Sequence, residues 1–286
     1  MESLTYNQYP FLKELGLSEE NKGCYRNGEW VGSGKVITSY NPANGKAIAR
    51  VQLASLADYH DTMKAMETEK ARWAKMPPPL RGEILRQIGD ALRAKKDALG
   101  ALTTLEMGKI RSEGLGEVQE YIDICDMATG MSRTISGSVI PSERPDHWMM
   151  EVWNPVGIVG VITAFNFPVA VSGWNTALSL IAGDLVLWKP ALTTCLVTIA
   201  IQNLVAGVLK KHGFNSVCTV CCGDGPDIGN ELVNDKRIPL VSFTGSTAVG
   251  RSISKTVHER FGRTILELGG NNATIVLPDA DLEIAF

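Results

Sequence analysis

Nowhere in its 286 residues does the chain concentrate lysine and arginine among interleaved aromatics, and 28 basic side chains against 31 acidic ones leave a net charge of -3. A nucleic-acid partner is therefore not expected, since such binding begins with a cationic stripe matched to phosphates. Six cysteines, at 24, 125, 195, 218, 221 and 222, offer no two C-x-x-C spacings that pair as metal ligands. A disulfide framework is equally out of place in a chain this long, so free thiols in a reducing compartment are expected, and no metal. Met1-Glu2-Ser3-Leu4 has neither a basic n-region nor an apolar h-region, and Glu14, Glu19 and Glu20 do not suit an acid-poor transit peptide. The expected location is cytoplasmic, a mitochondrial form requiring a different N-terminus.

Charge is also missing from residues 156–183, a run long enough to cross a bilayer. Asn166, Pro168, Ser172, Asn175 and several glycines interrupt it, and Asn166-Phe167-Pro168 reads as a break between an apolar strand and a helix over about 169–182. A buried strand-loop-helix accounts for the run better than a membrane span, and no membrane partner is expected. The 44% hydrophobic and 21% charged content suits a soluble chain with a substantial core.

What is present has an order. Residues 1–50 are punctuated by Gly28, Gly32, Gly34, Pro42 and Gly45, as peripheral strands and turns would be. Ser55 followed by Asp58 resembles an N-cap with an acidic first turn. Pro77-Pro78-Pro79 must stop the helix that begins there. Ile84, Leu85, Ile88, Leu92, Leu99 and Leu102 build the apolar stripe of a second helix, residues 112–133 predict a further one, and 147–153 is strand-like. Beyond that, strands predicted at 156–163, 184–188, 216–221, 238–243 and 263–267 alternate with helices at 169–182, 193–211, 226–233 and 247–258. This alternation predicts an α/β fold, a Rossmann-like parallel sheet with helices on both faces. Ligands of such sheets bind at the carboxyl ends of the strands.

Polar groups stand at those ends. Gly245-Ser246-Thr247 can seat a pyrophosphate on free amides at a helix start, or be an ordinary N-cap. Lys189 can reach ribose hydroxyls or a phosphate, or be a solvated strand-end lysine. Asn166 can donate an amide hydrogen to a developing oxyanion, or merely form a turn. Glu267 can act as a general base with a pKa raised by partial burial, or be a salt-bridged carboxylate.

In this order and spacing the four resemble the aldehyde dehydrogenase superfamily, over nearly the whole chain. Phe243-Thr244-Gly245-Ser246 followed by Glu267-Leu268-Gly269-Gly270 carries most of the resemblance. Leu12-Lys13-Glu14-Leu15-Gly16-Leu17, Trp153-Asn154-Pro155-Val156-Gly157, 163–171 and 267–273 are similar to the antiquitin group within it. The resemblance implies an NAD-binding domain over 1–141 and 158–277, part of an oligomerisation hairpin at 142–157, and the start of a catalytic domain at 278–286. It implies that Thr163, Ala164 and Phe165 line the cofactor cleft, that Lys189 holds the adenosine ribose, and that Gly229 and Asn230 lie near the adenine. Gly245 and Ser246 would meet the pyrophosphate, with Leu268 also against the cofactor. Asn166 would stabilise an oxyanion and Glu267 would activate the hydrolytic water. The implied reaction is NAD-dependent oxidation of an aldehyde, α-aminoadipic semialdehyde of lysine degradation, to the carboxylate through a thioester, in a homotetramer.

Two departures qualify this. Leu192 stands three residues after Lys189, where many relatives place a glutamate that reads the ribose 2′-hydroxyl; NAD remains the expected cofactor. No cysteine follows Glu267, although the family's nucleophile lies beyond that point in a second domain. The 286-residue chain is therefore expected to lack the catalytic domain and to bind cofactor at most. Cys221-Cys222 is the one tempting internal substitute, and nothing in its spacing brings it to Asn166. A stand-alone, non-catalytic NAD-binding or assembly module is the alternative. A short-chain reductase is excluded, because no G-x-x-x-G-x-G turn or Y-x-x-x-K pair occurs in context.

Overall fold

In the computed structural model of the chain residues 8–285 are described, so the expectations for residues 1–4 and for Phe286 fall outside it. Short elements come first: α1 (Phe11–Glu14), β1 (Glu20–Lys22), β2 (Cys24–Arg26), β3 (Glu29–Val31), β4 (Val36–Tyr40) and β5 (Ala47–Gln52). Asn27 and Gly28 alone join β2 to β3, both at positive φ (51° and 85°). Their backbone matches the twist of the paired strands, and Asn-Gly adopts it at little steric cost.

A helical block follows, made of α2 (Leu56–Ala74), α3 (Pro78–Ala94), α4 (Lys96–Met107) and α5 (Arg111–Met131). Ser55 opens α2 with a reciprocal cap: its hydroxyl accepts from Asp58 N at 3.2 Å while the Asp58 carboxylate accepts from Ser55 N at 3.0 Å. α2 ends at Ala74, ahead of the three prolines, and Pro78 opens α3, where a missing N–H is no loss. The single helix expected over Ile84 to Leu102 is two helices, broken at Lys95 (φ -116°, ψ 13°). Its apolar stripe nevertheless stays buried throughout, because α3 and α4 both pack on α5. A one-residue break barely shifts the 3.6-residue period, so the pattern alone does not reveal it.

β6 (Val139–Pro141) and β7 (Trp148–Met150) form an antiparallel hairpin exposed on both faces, beginning three residues before the boundary expected at 142. The uncharged run of 156–183 is β8 (Ile158–Ile162), a loop, and α6 (Ala170–Ala182). Then come β9 (Leu185–Lys189), α7 (Cys195–Lys211), β10 (Cys218–Cys221), a widened helical turn (Gly225–Gly229) leading into α8 (Asn230–Asn234), β11 (Leu240–Thr244), α9 (Thr247–Glu259) and β12 (Arg263–Glu267). The last element is α10 (Leu282–Ala285). Of the described helices, one is long and apolar enough to cross a membrane, Leu192–Lys211, and most of it is packed inside the core.

The main sheet runs β12-β11-β8-β9-β10-β2-β3. Its first five strands are parallel, as expected, but β2 pairs antiparallel with β10, so the sheet is mixed. The N-terminal hairpin thus closes an edge that would otherwise expose unpaired backbone. β1, β5 and β4 make a second, three-stranded sheet. α6 and α7 pack on one face of the main sheet, while α2 and α9 pack on the other. β8, β9 and β10 are buried along their whole length, the mark of strands covered on both faces.

Glu106, at the end of α4, ties the helical block to α7 and to the three-stranded sheet. It is wholly buried, and it accepts from Leu196 N (3.0 Å) and Val197 N (2.8 Å) in the first turn of α7 and from Ser39 Oγ (2.8 Å) on β4. Burial pushes its pKa up from 4.5 to about 7, against the pull of those three donors. A raised folded-state value favours the fold most below pH 4.5, and that contribution is lost as pH rises towards 7. The loss is on the order of 3 kcal/mol. Glu106→Gln should therefore flatten the dependence of the thermal midpoint on pH across this window. Equal slopes for the two proteins would contradict the assignment.

Candidate functional site

The strand order reverses between β8 and β11, since β9 and β10 lie to one side of β8 and β11 and β12 to the other. A cleft of about 600 Å³ opens at the carboxyl ends there. Ile162, Thr163, Ala164 and Phe165 continue β8 into it, and Lys189 and Ala191 end β9 beside it. Gly225, Pro226, Gly229, Asn230 and Val233 form one wall. Phe243 to Ser246, with Val249, Ser252 and Ile253 of α9, form the other. Thr163, Ala164, Phe165, Lys189, Gly229, Asn230, Gly245 and Ser246, distant in sequence, thus share one cleft.

Lys189 is only 7% exposed and is not the solvated strand-end lysine of the alternative. Its Nζ donates to Pro190 O at 3.1 Å, and desolvation holds its pKa below the usual lysine value. Gly229 sits against the lysine stem, where an added Cβ would lie 3.6 Å from Cε. Across the cleft, Ser246 caps α9 by accepting from Val249 N at 3.3 Å, and the amides of Thr247 and Ala248 have no partner among the described residues. Those donors and the positive end of a 13-residue helix favour an anion. Gly245 must stay small, because a Cβ there would run into the Phe243 ring. A cation, two free amides and apolar walls between them suit a phosphate-linked ligand with flat apolar ends.

Three expected residues stand outside the lining. Leu268 is half-buried and packs over Gly250 in α9. Asn166 lies in the loop after β8, exposed and without a hydrogen bond among the described residues, so it does not brace a turn. Glu267 ends β12, level with Thr244, and its carbonyl accepts from Gly245 N at 3.0 Å. Its side chain makes no ion pair among the described residues and is exposed, not partly buried as expected, because β12 is the edge strand of the sheet. Asn166 and Glu267 follow strands whose carboxyl ends share one edge, with β11 between them. Sequence reasoning missed the apolar wall of Val249, Ser252 and Ile253. The signal was there: i, i+3, i+4 spacing directly after the glycine turn, where one helix face must look back over the cleft.

The fold and cleft define a doubly wound α/β protein with an anion-favouring crevice at its topological switch point. The chain belongs to the aldehyde dehydrogenase family, whose model matches residues 30–286. It is 55% identical to the α-aminoadipic semialdehyde dehydrogenase of Bos taurus over 99% of this chain and 53% of that protein. It is 55% identical to aldehyde dehydrogenase family 7 member B4 of Arabidopsis thaliana over 98% of this chain and 55% of the relative. The chain spans about half the length of the curated relatives it matches. Among solved structures, the betaine aldehyde dehydrogenase of Staphylococcus aureus in complex with NAD+ superposes with a TM-score of 0.85 at 30% identity, over 98% of this chain and 56% of that one.

The cysteines fall into place by burial. All six are free and buried. Cys24 and Cys221 face each other across β2 and β10 with their sulfurs 3.6 Å apart. The hydrogen bond to Cys24, then burial, push the Cys221 thiol well up, and Cys195 together with burial does the same to Cys222. Neither is a nucleophile, since attack needs an accessible thiolate. Native protein should therefore take up iodoacetamide at none of its six cysteines, and unfolded protein at all six, as read by mass spectrometry. Rapid labelling of Cys221 or Cys222 in the folded chain would contradict this.

Proposed function

We propose that this chain carries the NAD+-binding portion of an aldehyde dehydrogenase, and that the whole protein oxidises an aldehyde to its carboxylate. The similarity to the bovine enzyme supports α-aminoadipic semialdehyde as the substrate. The observation that carries the proposal is the pairing of buried Lys189 with the open start of α9 across one apolar cleft. Lys189, with Gly229 and Asn230 beside it, would hold the adenosine side, and the amides of Thr247 and Ala248 would hold the pyrophosphate. NAD+ when bound supplies the hydride acceptor. With Leu192 in place of an acidic side chain after Lys189, recognition of the ribose 2′-hydroxyl falls to Lys189 itself.

Two side chains carry the remaining chemistry. The amide of Asn166, which has no hydrogen bond among the described residues, would donate to the aldehyde oxygen as negative charge gathers there during attack by a thiol. Glu267 would take a proton from the water that hydrolyses the resulting acyl-enzyme; its exposure leaves it free of competing partners and open to water. The six buried cysteines leave the attacking thiol to be supplied from outside these 286 residues. The exposed β6–β7 hairpin, with Trp148 at 82% and Met150 at 71% exposure, supports assembly into a homo-oligomer. Six free thiols are consistent with a reducing, cytoplasmic setting.

Calorimetry on the 286-residue chain should detect NAD+ binding, and Lys189→Met should weaken it about tenfold, the loss of roughly one charge-assisted contact. No heat from the folded wild-type chain would end the cofactor assignment. In a protein that also carries the attacking thiol, Asn166→Ala should slow acylation by on the order of 10² to 10³. Glu267→Gln should abolish turnover while NAD+ affinity holds, and parallel loss of both would argue for a structural carboxylate.

A further inference from the structure

The loop from Thr163 to Pro168 both lines the cleft and carries Asn166, and its two ends are fastened by different means. At its start the sheet holds it: Thr163 N donates to Lys189 O at 3.3 Å, and Trp188 Nε1 donates to Thr163 Oγ1 at 2.9 Å. At its far end the sheet offers nothing. Instead Glu117, on α5 and 1% exposed, accepts from Val169 N at 2.9 Å and Ala170 N at 3.3 Å, where α6 begins. The other oxygen of that carboxylate pairs with Lys109, from the turn between α4 and α5. The same ammonium stands 3.8 Å above the centroid of the Phe167 ring. Lys109 therefore holds the loop twice, through the residue after Asn166 and through the carboxylate that anchors α6.

A buried carboxylate is costly unless its charge is compensated, and a helix core needing only packing would take an apolar side chain at position 117. Here the charge is met by two amide donors, the positive end of α6 and an ammonium. Every one of these partners belongs to, or touches, the segment 167–170. Between the two anchors Phe165 and Asn166 are exposed, and Asn166 has no partner among the described residues, so its placement depends on what holds the loop on either side.

We infer that Glu117 and Lys109 are positioning residues that set the Asn166 loop at the reactive end of the cleft, acting through the first turn of α6 and the Phe167 ring. This rests on the cofactor assignment proposed above. ADP-ribose separates the two, since it keeps the adenosine and both phosphates of NAD+ and lacks the nicotinamide. Calorimetry on the 286-residue chain should find NAD+ weakened about tenfold by Lys109→Met and by Glu117→Gln, as preorganisation of one wall is lost, with ADP-ribose changed less than about twofold. Lys109→Arg, which keeps a cation over Phe167 and beside Glu117, should restore NAD+ affinity. Lys109 is partly buried, with 17% of its side chain exposed, and methionine keeps most of its stem, so Lys109→Met tests the role even where Glu117→Gln unfolds, with the thermal midpoint as the check on folding. NAD+ affinity unchanged in Lys109→Met, or equal weakening of both ligands, would overturn the positioning role while leaving the cofactor assignment intact. A folded wild-type chain that binds neither ligand would overturn both.

Discussion

Parallel strands cannot be joined by a tight turn; each crossover must carry the chain back across the face of the sheet before the next strand begins. The five parallel strands of the main sheet therefore deliver their carboxyl ends to one edge, and the loops that follow them, with the first turns of the helices they lead into, line a shared crevice. The reversal of strand order between β8 and β11 parts two of those loops, and the cleft opens in the gap. Thr163, Lys189 and Gly245 meet there because the ladder levels Ile162 with Lys189 and with Phe243.

Covering such a sheet creates a second demand. α6 and α7 begin deep in the protein, where their first amides have no water to bond. Both are met by glutamates reaching in from the helical block: Glu117 from α5 to Val169 and Ala170, and Glu106 from α4 to Leu196 and Val197. These side chains join the helical block by hydrogen bonds, as well as by apolar packing, to the two helices that cover the sheet. They also place rigid supports immediately behind the two turns that border the cleft, after β8 and after β9.

Much of this was legible in residue order. Largely apolar runs marked β8, β9, β10 and β11 to within a few residues, because strands covered on both faces need apolar side chains on both. The residues at their ends pointed to eight positions that do share a cleft. Three things were harder to see. Lys95 interrupts a helix without disturbing its stripe. β2 joins the main sheet through pairing with β10, almost 200 residues away. The exposure of Glu267 follows from β12 lying at the edge, a place set by which strands pair with it.

Sequence alone determined the class of fold, the family, and the chemical kinds of group gathered at the strand ends, because each rests on local periodicity or on a short motif. Only the tertiary structure decided that Lys189 is buried, that Asn166 is exposed, that Cys221 and Cys222 are sealed, and that Glu117 and Lys109 touch the segment after Asn166. Burial and partnership depend on which distant segments are laid against a residue, and that is settled by packing of the whole chain and not by any stretch of it.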